Sequence, residues 1–335
     1  MTVTIRDVAR QANVSISTVS RTFTAPDLVK PQTRTRVLVA ADELGYEPVS
    51  TPPTASTDQT GRIGIVVPDL TNPFFVGILN GVQGTARQHE ISVLFANSDE
   101  DSTVEINLIR DMARQVDGII LCSPSIADQR LQALTEDTPL VLVNRTFPGV
   151  PSVVMDSESG MRQAVAHLAA LGHRRIAFLA GPRTSWSSAE RRRGLVAATE
   201  ERDMAVVEFG PFPPRFESGL QGADLALAAE VTAIIAYNDM VAFGALARLN
   251  ARGARVPEDV SLIGFDDLIF SSISAPPLTT VSMPTEAAGR AAVNLLATLL
   301  PTDGENGPIG ADETETRTLD TYLIVRATTA PPPRS

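Results

Sequence analysis

The chain has 335 residues, of which 43% are hydrophobic and 5% aromatic, and its formal net charge at pH 7 is −11. This length suffices for one small and two medium domains, and no apolar run reaches the roughly 18 residues of a membrane-spanning helix. Asp7 and the lack of an apolar segment near it argue against a secretory signal, so a cytoplasmic protein is expected. Cys122 is the only cysteine, which excludes an internal disulfide and any metal cluster built from cysteines.

The first predicted elements are two short helices, separated only by Asn13 and Val14. Apolar residues recur at helical spacing in the first helix: Ile5, Val8, Ala9 and Ala12. The second helical pattern runs from Ser15 to Phe23, and Asn13 is expected to adopt the left-handed conformation that the turn requires. Two helices joined by so tight a turn are typical of a helix-turn-helix, whose second helix enters the major groove of B-DNA.

The second helix carries hydroxyl groups and a guanidinium but no acidic residue. Ser15 is expected to cap it, and its hydroxyls suit phosphate oxygens. Ile16, Ser17 and Arg21 are predicted to select bases, because arginine matches the O6/N7 edge of guanine. The predicted phosphate contacts are Thr4, Ser15, Thr18, Ser20 and Thr24. An ordinary exposed helix is the competing interpretation, which the weak helix propensity of these residues disfavours.

A third helix is predicted from about Pro31 to Leu44, with Gly45 at its end. Residues 1–41 carry six Lys or Arg and two Asp, a net charge of +4, although the whole chain carries −11. The basic N-terminal region is therefore suited to neutralise phosphates, whereas DNA would repel the acidic remainder.

From Gly61 onward, short apolar runs alternate with helical segments. The predicted strands are Ile63–Val67, Ser92–Phe95, Gly118–Leu121, Leu140–Val143, Val153–Met155, Ile176–Leu179, Ala233–Ala236 and Ser261–Gly264. The predicted helices between them include Phe74–Gln88, Gly160–Leu171 and Asp239–Arg252. This alternation predicts a doubly wound α/β fold with parallel strands, in which ligands bind beyond the carboxyl ends of the strands.

Seven sequence blocks occur in an order that resembles one known family. The N-terminal block reads T-I-R-D-V-A-R-x-A-N-V-S-x-S-T-V-S-R and is followed by E-L-G-Y-E-P. Later blocks include I-G-I-V-V-P-D-L-T-N-P-F-F at 63–75, L-G-H-R-R-I-A-F-L-A-G-P at 171–182 and V-P-E-D-V-S-L-I-G-F-D-D at 256–267. The chain resembles the lactose/galactose repressor family of transcriptional regulators over nearly its whole length.

The resemblance implies an all-α helix-turn-helix headpiece and an α/β core like that of periplasmic sugar-binding proteins. The expected parts are the headpiece at 1–47, a linker at 48–60, the core at 61–327 and a disordered tail at 328–335. The core is expected to contain two doubly wound subdomains joined by three crossovers near Asp156, Met283 and residues 315–320. Their expected ranges are 61–156 with 284–316 for subdomain one, and 157–283 with 317–327 for subdomain two.

Seven residues are candidates for an effector site in the cleft between the subdomains: five follow predicted strands, Trp186 is an aromatic able to stack, and Arg191 lies three residues before Gly194, where the resemblance places an effector-binding arginine. They are Asn72, Phe74, Arg145, Trp186, Arg191, Asn238 and Asp266. The resemblance points especially to Arg191, Asn238 and Asp266 as ligands of sugar hydroxyls, each of which both donates and accepts hydrogen bonds. Phe74 or Trp186 would stack on the apolar face of a sugar ring.

Four neighbouring residues also have a structural interpretation. Asp239 and Asp267 are expected to cap helix N-termini rather than to contact a ligand. Asp156 is a hinge residue or a cap, and Phe75 belongs to the core or to a dimer interface. The sequence leaves the alternatives for Asp156 and Phe75 open.

The linker departs from the family pattern. Residues 47–61 read EPVSTPPTASTDQTG, and Pro53 and Ala55 stand where family members carry the Arg and Leu of a hinge helix. Prolines and weak helix formers oppose a helix, and Ala55 is too small to unstack a base step. We therefore expect a flexible tether that does not strongly bend the operator.

Catalytic motifs are missing from the sequence. The only lysine is Lys30, in the region assigned to DNA binding, which excludes G-K-[ST] phosphate loops and Schiff-base sites in the core. The spacing of Gly77, Gly81 and Gly84 does not match a dinucleotide-binding loop. Neither an enzyme nor a resident cofactor or metal is expected.

The sequence thus predicts a sugar-responsive transcriptional regulator, most simply a repressor, that binds a palindromic operator as a homodimer. A regulator of this kind that responds to a phosphorylated metabolite or a partner protein is an alternative, because Arg145 and Arg191 also suit a phosphate. A solute-binding module without a role on DNA is the second alternative, although such a module would lack the basic N-terminal region.

Overall fold

The computed structural model of the chain describes residues 4–24, 29–44, 46, 60–135, 138–300 and 315–333. Two compact units are present, residues 1–57 and residues 58–335. Apart from Thr60, the predicted linker at 48–60 lies outside the described residues, so the flexible tether stays a prediction. No helix in the described ranges combines the length and the apolar character that crossing a bilayer requires.

The described residues of the first unit form three helices around a small apolar core. They are α1 (Ile5–Gln11), α2 (Ile16–Thr24) and α3 (Pro31–Leu44). The buried residues of this core are Val8, Ala9, Ala12, Val19, Val37, Ala40 and Ala41. Asn13 has a φ of 50°, which confirms the left-handed conformation expected at the turn. The Ser15 hydroxyl accepts the Thr18 N–H at 3.2 Å, so Ser15 caps α2 as predicted.

The second unit contains two six-stranded sheets flanked by helices. Its strands are β1 (Arg62–Val67), β2 (Ser92–Asn97), β3 (Gly118–Cys122), β4 (Leu140–Val143), β5 (Ser152–Met155), β6 (Arg175–Leu179), β7 (Ala205–Phe209), β8 (Ala233–Ala236), β9 (Ser261–Asp266), β10 (Thr279–Ser282), β11 (Thr316–Leu319) and β12 (Tyr322–Ile324). Its helices are α4 (Pro73–Gln88), α5 (Ser102–Met112), α6 (Asp128–Thr135), α7 (Ser157–Leu171), α8 (Trp186–Glu200), α9 (Phe216–Ala228), α10 (Asp239–Ala251), α11 (Ile269–Ile273) and α12 (Thr285–Ala297).

The strand order is β11-β5-β4-β3-β1-β2 in the first sheet and β12-β10-β9-β8-β6-β7 in the second. Neighbouring strands are parallel, except that β12 runs antiparallel to β10. The chain passes between the sheets three times: after β5, after β10, and between β11 and β12. Each passage lies within a few residues of its expected position, and the strand order changes direction beside β1 and β6, where doubly wound folds bind ligands.

The C-terminal region differs from two sequence expectations. β11 pairs with β5, so residues 317–319 belong to subdomain one and not to subdomain two. Residues 328–333, expected to lie in a disordered tail, are fixed by hydrogen bonds: Thr328 Oγ1 donates to the Leu262 carbonyl at 2.7 Å, and the Ala330 N–H donates to Ser261 Oγ at 3.0 Å. Composition suggested disorder, but these polar atoms find partners along β9.

Close helix packing positions α4, whose first turn carries Asn72 and Phe74. Helix α4 packs against α12 through Gly81, where a Cβ atom would overlap the carbonyl of Glu286. Gly77 lies on the same face against Thr285. Gly77 and Gly81 therefore serve helix contact, whereas Gly84 faces open space.

Candidate functional site

A cavity with about 740 Å³ of empty space, open to solvent, lies between the carboxyl ends of the two sheets. It is lined from subdomain one by Pro68, Asn72, Phe74, Phe75, Glu100, Ser123, Ser125 and Asn144, and from subdomain two by Pro182, Thr184, Ser185, Arg191, Pro214, Tyr237, Asn238 and Asp266. Five of the seven candidate effector residues are thus in the lining; Arg145 and Trp186 are not.

The first turn of α4 forms one wall of the cavity. Asn72 is the N-cap, and its Oδ1 accepts the Phe74 N–H at 3.1 Å. Phe74 and Phe75 are buried, with ring centroids 5.1 Å apart in an edge-to-face arrangement. Phe75 therefore belongs to the core and also to the cavity lining, whereas the sequence left it between core and dimer interface.

Asn144, which the sequence analysis did not select, directly follows β4 in the cavity wall. Its φ is 63°, and its Nδ2 donates to Ser123 Oγ at 3.0 Å. Its Oδ1 is buried and has no partner among the residues that the structure describes. A buried acceptor without a partner is costly, so this oxygen is suited to accept a hydrogen bond from a ligand. The sequence feature that could have identified Asn144 is its position as a polar residue directly after a buried strand.

Arg145 does not line the cavity, which corrects its assignment as an effector residue. Its Nη1 donates to the carbonyls of Pro124 at 2.8 Å and Ile126 at 2.7 Å, and its Nη2 lies 2.6 Å from Asp128 Oδ1. Arg145 instead holds the loop 123–128 that carries Ser123 and Ser125.

Glu105 of α5 supports the same loop. Its carboxylate accepts the Ser125 N–H at 3.2 Å and the Ser125 hydroxyl at 3.3 Å. Burial raises the pKa of Glu105 to about 7, against the lowering effect of the hydrogen bonds from Ser125. One support of this cavity wall therefore changes its charge near neutral pH.

Arg191 forms the centre of the opposite wall and is only 2% exposed. Its Nη1 donates to the Tyr237 carbonyl, and its guanidinium lies 4.6 Å from the Tyr237 ring centroid and 4.4 Å from that of Phe265. Its Nε is buried without a partner among the described residues. The Arg191 Nε–H is thus an unused donor, while the two rings hold the plane of the guanidinium.

Asp266 ends β9 beside Arg191, with a φ of 114°. Burial raises the pKa of Asp266 well above its ordinary value, and the charge of Asp239 adds to this, although Arg191 opposes it. A carboxyl group that holds its proton more firmly is able to donate a hydrogen bond as well as accept one. That dual capacity suits a ligand hydroxyl.

Asn238 lines the cavity and also caps α10. Its Oδ1 accepts the Val241 N–H at 3.0 Å, and its Nδ2 donates to the Pro214 carbonyl at 3.3 Å. These contacts fix the orientation of the amide and leave one N–H and one lone pair for a ligand. The Asn238 side chain can therefore cap α10 and contact a ligand at the same time.

The aspartates around the site have distinct structural roles. Asp239 accepts the Leu268 N–H at 2.9 Å and does not cap a helix, contrary to expectation, since Asn238 is the N-cap of α10. Burial raises the pKa of Asp239 to about 7. Asp267 does not cap a helix, contrary to expectation, because its Oδ1 lies 2.6 Å from Arg326 Nη2. Asp156 accepts the Ser159 N–H at 2.8 Å as the cap of α7.

Trp186 begins α8 and lies outside the cavity lining, so it is not positioned to stack on a ligand in the cavity. Its neighbour Ser185 lines the cavity and lies 3.0 Å from the Tyr237 hydroxyl. Tyr237 and Glu100 are lining residues that the sequence analysis did not select. Burial raises the pKa of both side chains. The aromatic contribution of the lining comes from Phe74, Phe75 and Tyr237.

The exposed face of α2 carries most of the candidate DNA contacts. Ile16 is 46% exposed, and Ser17, Ser20 and Arg21 are exposed beside it. Thr18 is half-buried, and its hydroxyl lies 2.8 Å from that of Ser15. An isoleucine left on the surface of so small a unit suits contact with a thymine methyl group.

Two further candidate DNA contacts lie at the ends of α1 and α2. The backbone N–H and the hydroxyl of Thr4 both donate to Asp7 Oδ2, at 3.0 and 2.6 Å. A phosphate contact by the Thr4 hydroxyl would therefore compete with Asp7. Thr24 ends α2, and its side chain lies outside the described part of the chain.

Comparison with known proteins agrees with this architecture. The family model for bacterial regulatory proteins of the lacI family matches residues 4–49, and the model for periplasmic binding proteins and the sugar binding domain of the LacI family matches residues 60–319. The transcriptional regulator GalS of Salmonella typhimurium is 37% identical over 305 residues, covering 88% of this chain and 88% of GalS.

Two solved structures extend the comparison. A complex of the transcriptional regulator CelR with cellobiose is 31% identical, covers 97% of this chain and 99% of that chain, and has a TM-score of 0.71. The lac repressor dimer bound to operator and the anti-inducer ONPF is 28% identical, covers 98% and 100%, and has a TM-score of 0.73. This protein belongs to the LacI family of DNA-binding transcriptional regulators, not to an enzyme family.

Proposed function

We propose that this chain is a cytoplasmic transcriptional repressor that binds a palindromic operator as a homodimer and whose operator affinity depends on a sugar bound in the cavity. The operator contacts are assigned to Ile16, Ser17 and Arg21 for base choice. Phosphate contacts are assigned to Thr4, Ser15, Thr18, Ser20 and Thr24. A homodimer is supported by the dimer seen for the lac repressor on its operator.

The observation that carries the effector proposal is a pair of buried polar atoms without partners. Arg191 Nε is an unused donor in subdomain two, and Asn144 Oδ1 is an unused acceptor in subdomain one. The hydroxyl groups of a sugar both accept and donate, so separate hydroxyls would satisfy the two groups. Phe74, Phe75 and Tyr237 supply apolar surface for the ring carbons.

Charge in the cavity favours an uncharged sugar over its phosphate ester. Glu100 and Asp266 are both in the lining, and the guanidinium of Arg191 already lies 3.5 Å from Asp266 Oδ1. Arg145, which would have served a phosphate, is bound to Asp128 and to two carbonyl groups. A phosphate ester would therefore meet two carboxyl groups and one lining arginine, Arg191, whose guanidinium already lies beside Asp266.

The arrangement also supplies a route for coupling between sugar and operator. The cavity is formed by two subdomains joined by three crossovers, so a ligand that contacts both walls favours one arrangement of the subdomains over others. By linkage, if the sugar changes the affinity for the operator by some factor, the operator changes the affinity for the sugar by the same factor.

The direct test is titration calorimetry of the full chain against D-galactose, D-ribose, cellobiose and the corresponding sugar phosphates. The proposal expects saturable binding of an unphosphorylated sugar, lost in Arg191→Gln. The matched control is Arg192→Gln, since Arg192 is exposed and pairs with Glu208 at 2.9 Å outside the cavity lining. Tighter binding of sugar phosphates than of free sugars would favour the alternative effector class.

A further inference from the structure

The turn that presents Asp266 to the cavity has an unusual backbone. Asp266 and Asp267 are consecutive residues with φ values of 114° and 57°, a region that favours glycine. Such a conformation costs free energy in a residue with a Cβ atom and persists only where surrounding groups hold it. The position of the Asp266 carboxyl therefore depends on the contacts of its neighbours.

Arg326, from the segment after β12, holds this turn from outside the cavity. Its Nη2 lies 2.6 Å from Asp267 Oδ1, and its Nη1 donates to the Leu278 carbonyl at 2.8 Å. Both side chains of the Arg326–Asp267 pair are about one-fifth exposed, and neither residue is in the cavity lining. A partly buried, hydrogen-bonded ion pair of this kind is stronger and better oriented than an exposed one.

The segment that carries Arg326 is itself fixed to the second sheet. The Arg326 N–H donates to Thr279 Oγ1 at 3.0 Å, and the Ala327 N–H donates to the Pro277 carbonyl at 2.9 Å. Two residues on, Thr328 Oγ1 bonds to β9 at Leu262. Arg326 is thus anchored to the same strands that flank the turn, so its guanidinium has a defined position.

We propose that Arg326 is a positioning residue for effector binding, which acts through Asp267 to hold the Asp266 carboxyl in place without touching the ligand. This inference rests on the proposed sugar site. On the other side of the turn, Asp239 accepts the Leu268 N–H. The turn is therefore fixed at Asp267 by Arg326 and at Leu268 by Asp239, and Arg326 is the contact that comes from outside the sheet.

The test compares Arg326→Gln, Arg326→Lys and Asp267→Asn with a control ion pair in the same subdomain. The control is Arg248→Gln, since Arg248 binds both carboxylate oxygens of Asp224 away from the cavity. With the sugar that binds the wild-type chain best, Arg326→Gln and Asp267→Asn are each expected to weaken binding about tenfold or more, a loss comparable to one charge-assisted hydrogen bond. Arg326→Lys should recover part of the loss, and Arg248→Gln should bind like wild type.

Thermal denaturation separates positioning from general stability. Arg326→Gln and Arg248→Gln are expected to lower Tm to a similar degree, while only the former weakens sugar binding. The inference would be overturned if Arg326→Gln bound the sugar as tightly as wild type. It would also be overturned if Arg248→Gln lost as much sugar affinity as Arg326→Gln. Should Arg326→Gln not fold, the pair Asp267→Asn and Arg326→Lys decides by the same comparison.

A second readout does not need a ligand. If the wild-type chain binds none of the sugars tested, the proposed function fails, and crystal structures of wild type and Asp267→Asn then test the positioning claim alone. Movement of the Asp266 carboxyl group away from Arg191 in the variant supports the positioning claim. An Asp266 that stays in place overturns it.

Discussion

The guanidinium of Arg191 lies 3.5 Å from the carboxyl group of Asp266, and both side chains are almost completely buried in the cavity wall. Removal of either partner leaves the other polar group buried alone, which is more costly than loss of an exposed pair. This pair belongs to subdomain two, whereas the unused acceptor Asn144 Oδ1 belongs to subdomain one. A ligand that reaches both walls therefore connects the two subdomains.

Neighbouring residues Asn144 and Arg145 are expected to respond oppositely to substitution. Asn144→Ala removes an acceptor that has no partner among the described residues, so sugar affinity should fall about tenfold, and loss of the bond to Ser123 Oγ should lower Tm less than Arg145→Met does. Arg145→Met leaves the Pro124 and Ile126 carbonyls and Asp128 without their donor, so stability should fall by about 2–4 kcal/mol. Calorimetric melting and sugar titration of both variants check this. Equal behaviour of the two variants would contradict the assigned roles.

Glu105 is expected to make stability depend on pH in a defined window. The pKa of Glu105 is about 7 in the folded chain and near 4.5 otherwise, so the folded state binds the proton more tightly. The contribution of Glu105 to the free energy of unfolding is fully present below about pH 4.5 and is lost as the pH rises through 7. The loss is up to about 3 kcal/mol. Glu105→Gln should remove this part of the dependence and raise Tm above pH 7.

Asp239 has a pKa of about 7 as well, so part of the pH dependence remains in Glu105→Gln. The control is Glu258→Gln, an exposed carboxyl group that should leave the pH profile unchanged. Melting curves at pH 5, 6, 7 and 8 provide the measurement. Parallel profiles for wild type and Glu105→Gln would show that Glu105 does not titrate in this range.

Arg21 is expected to determine base preference. Because its side chain is exposed on α2, Arg21→Ala should relax specificity at one position of each half-site, at a cost of about 1–3 kcal/mol for the preferred base. Affinities for the operator and for its single-base variants measure this. Arg34, exposed on α3, provides the control Arg34→Ala. A uniform loss across all variants would make Arg21 a phosphate contact.

Two glycines of α4 offer a matched test of helix packing. Gly81→Ala places a Cβ atom against the backbone carbonyl of Glu286 and should destabilise the core by about 2 kcal/mol or more. Gly84→Ala meets open space in the same helix and should stabilise by up to about 1 kcal/mol through helix propensity. Chemical denaturation shows whether each variant raises or lowers the free energy of unfolding. Similar effects would mean that α4 and α12 are not in close contact.

The fold was largely predictable because the buried parallel strands are continuous apolar runs. All eight predicted strands are present, and the strands that were not predicted are β7, β10, β11 and β12. β7 and β11 are edge strands interrupted by a charged residue, β10 is rich in threonine, and β12 has only three residues. Leu38 of α3 lies next to the buried Val37 in the sequence but is 41% exposed, which apolar character alone does not indicate.

The cavity was predictable in position and only partly in composition. Residues after strands were correctly expected near the cleft, as for Asn72 and Asp266. Whether residue 144 or 145 faces the cavity depends on side-chain direction at the end of β4, which spacing does not fix. Tyr237 was read only as the end of an apolar run, and Glu100 reaches the lining through a loop with positive φ values.

Operator binding with and without sugar tests the central claim most directly. The measurement is retardation of the gene's upstream DNA by the full chain and by Arg191→Gln, with and without the sugar that binds best. The account predicts that the sugar changes the operator affinity of the wild-type chain by about 5–150-fold and leaves that of Arg191→Gln unchanged. Operator affinity that no bound sugar alters, in a wild-type chain shown by calorimetry to bind that sugar, would contradict it.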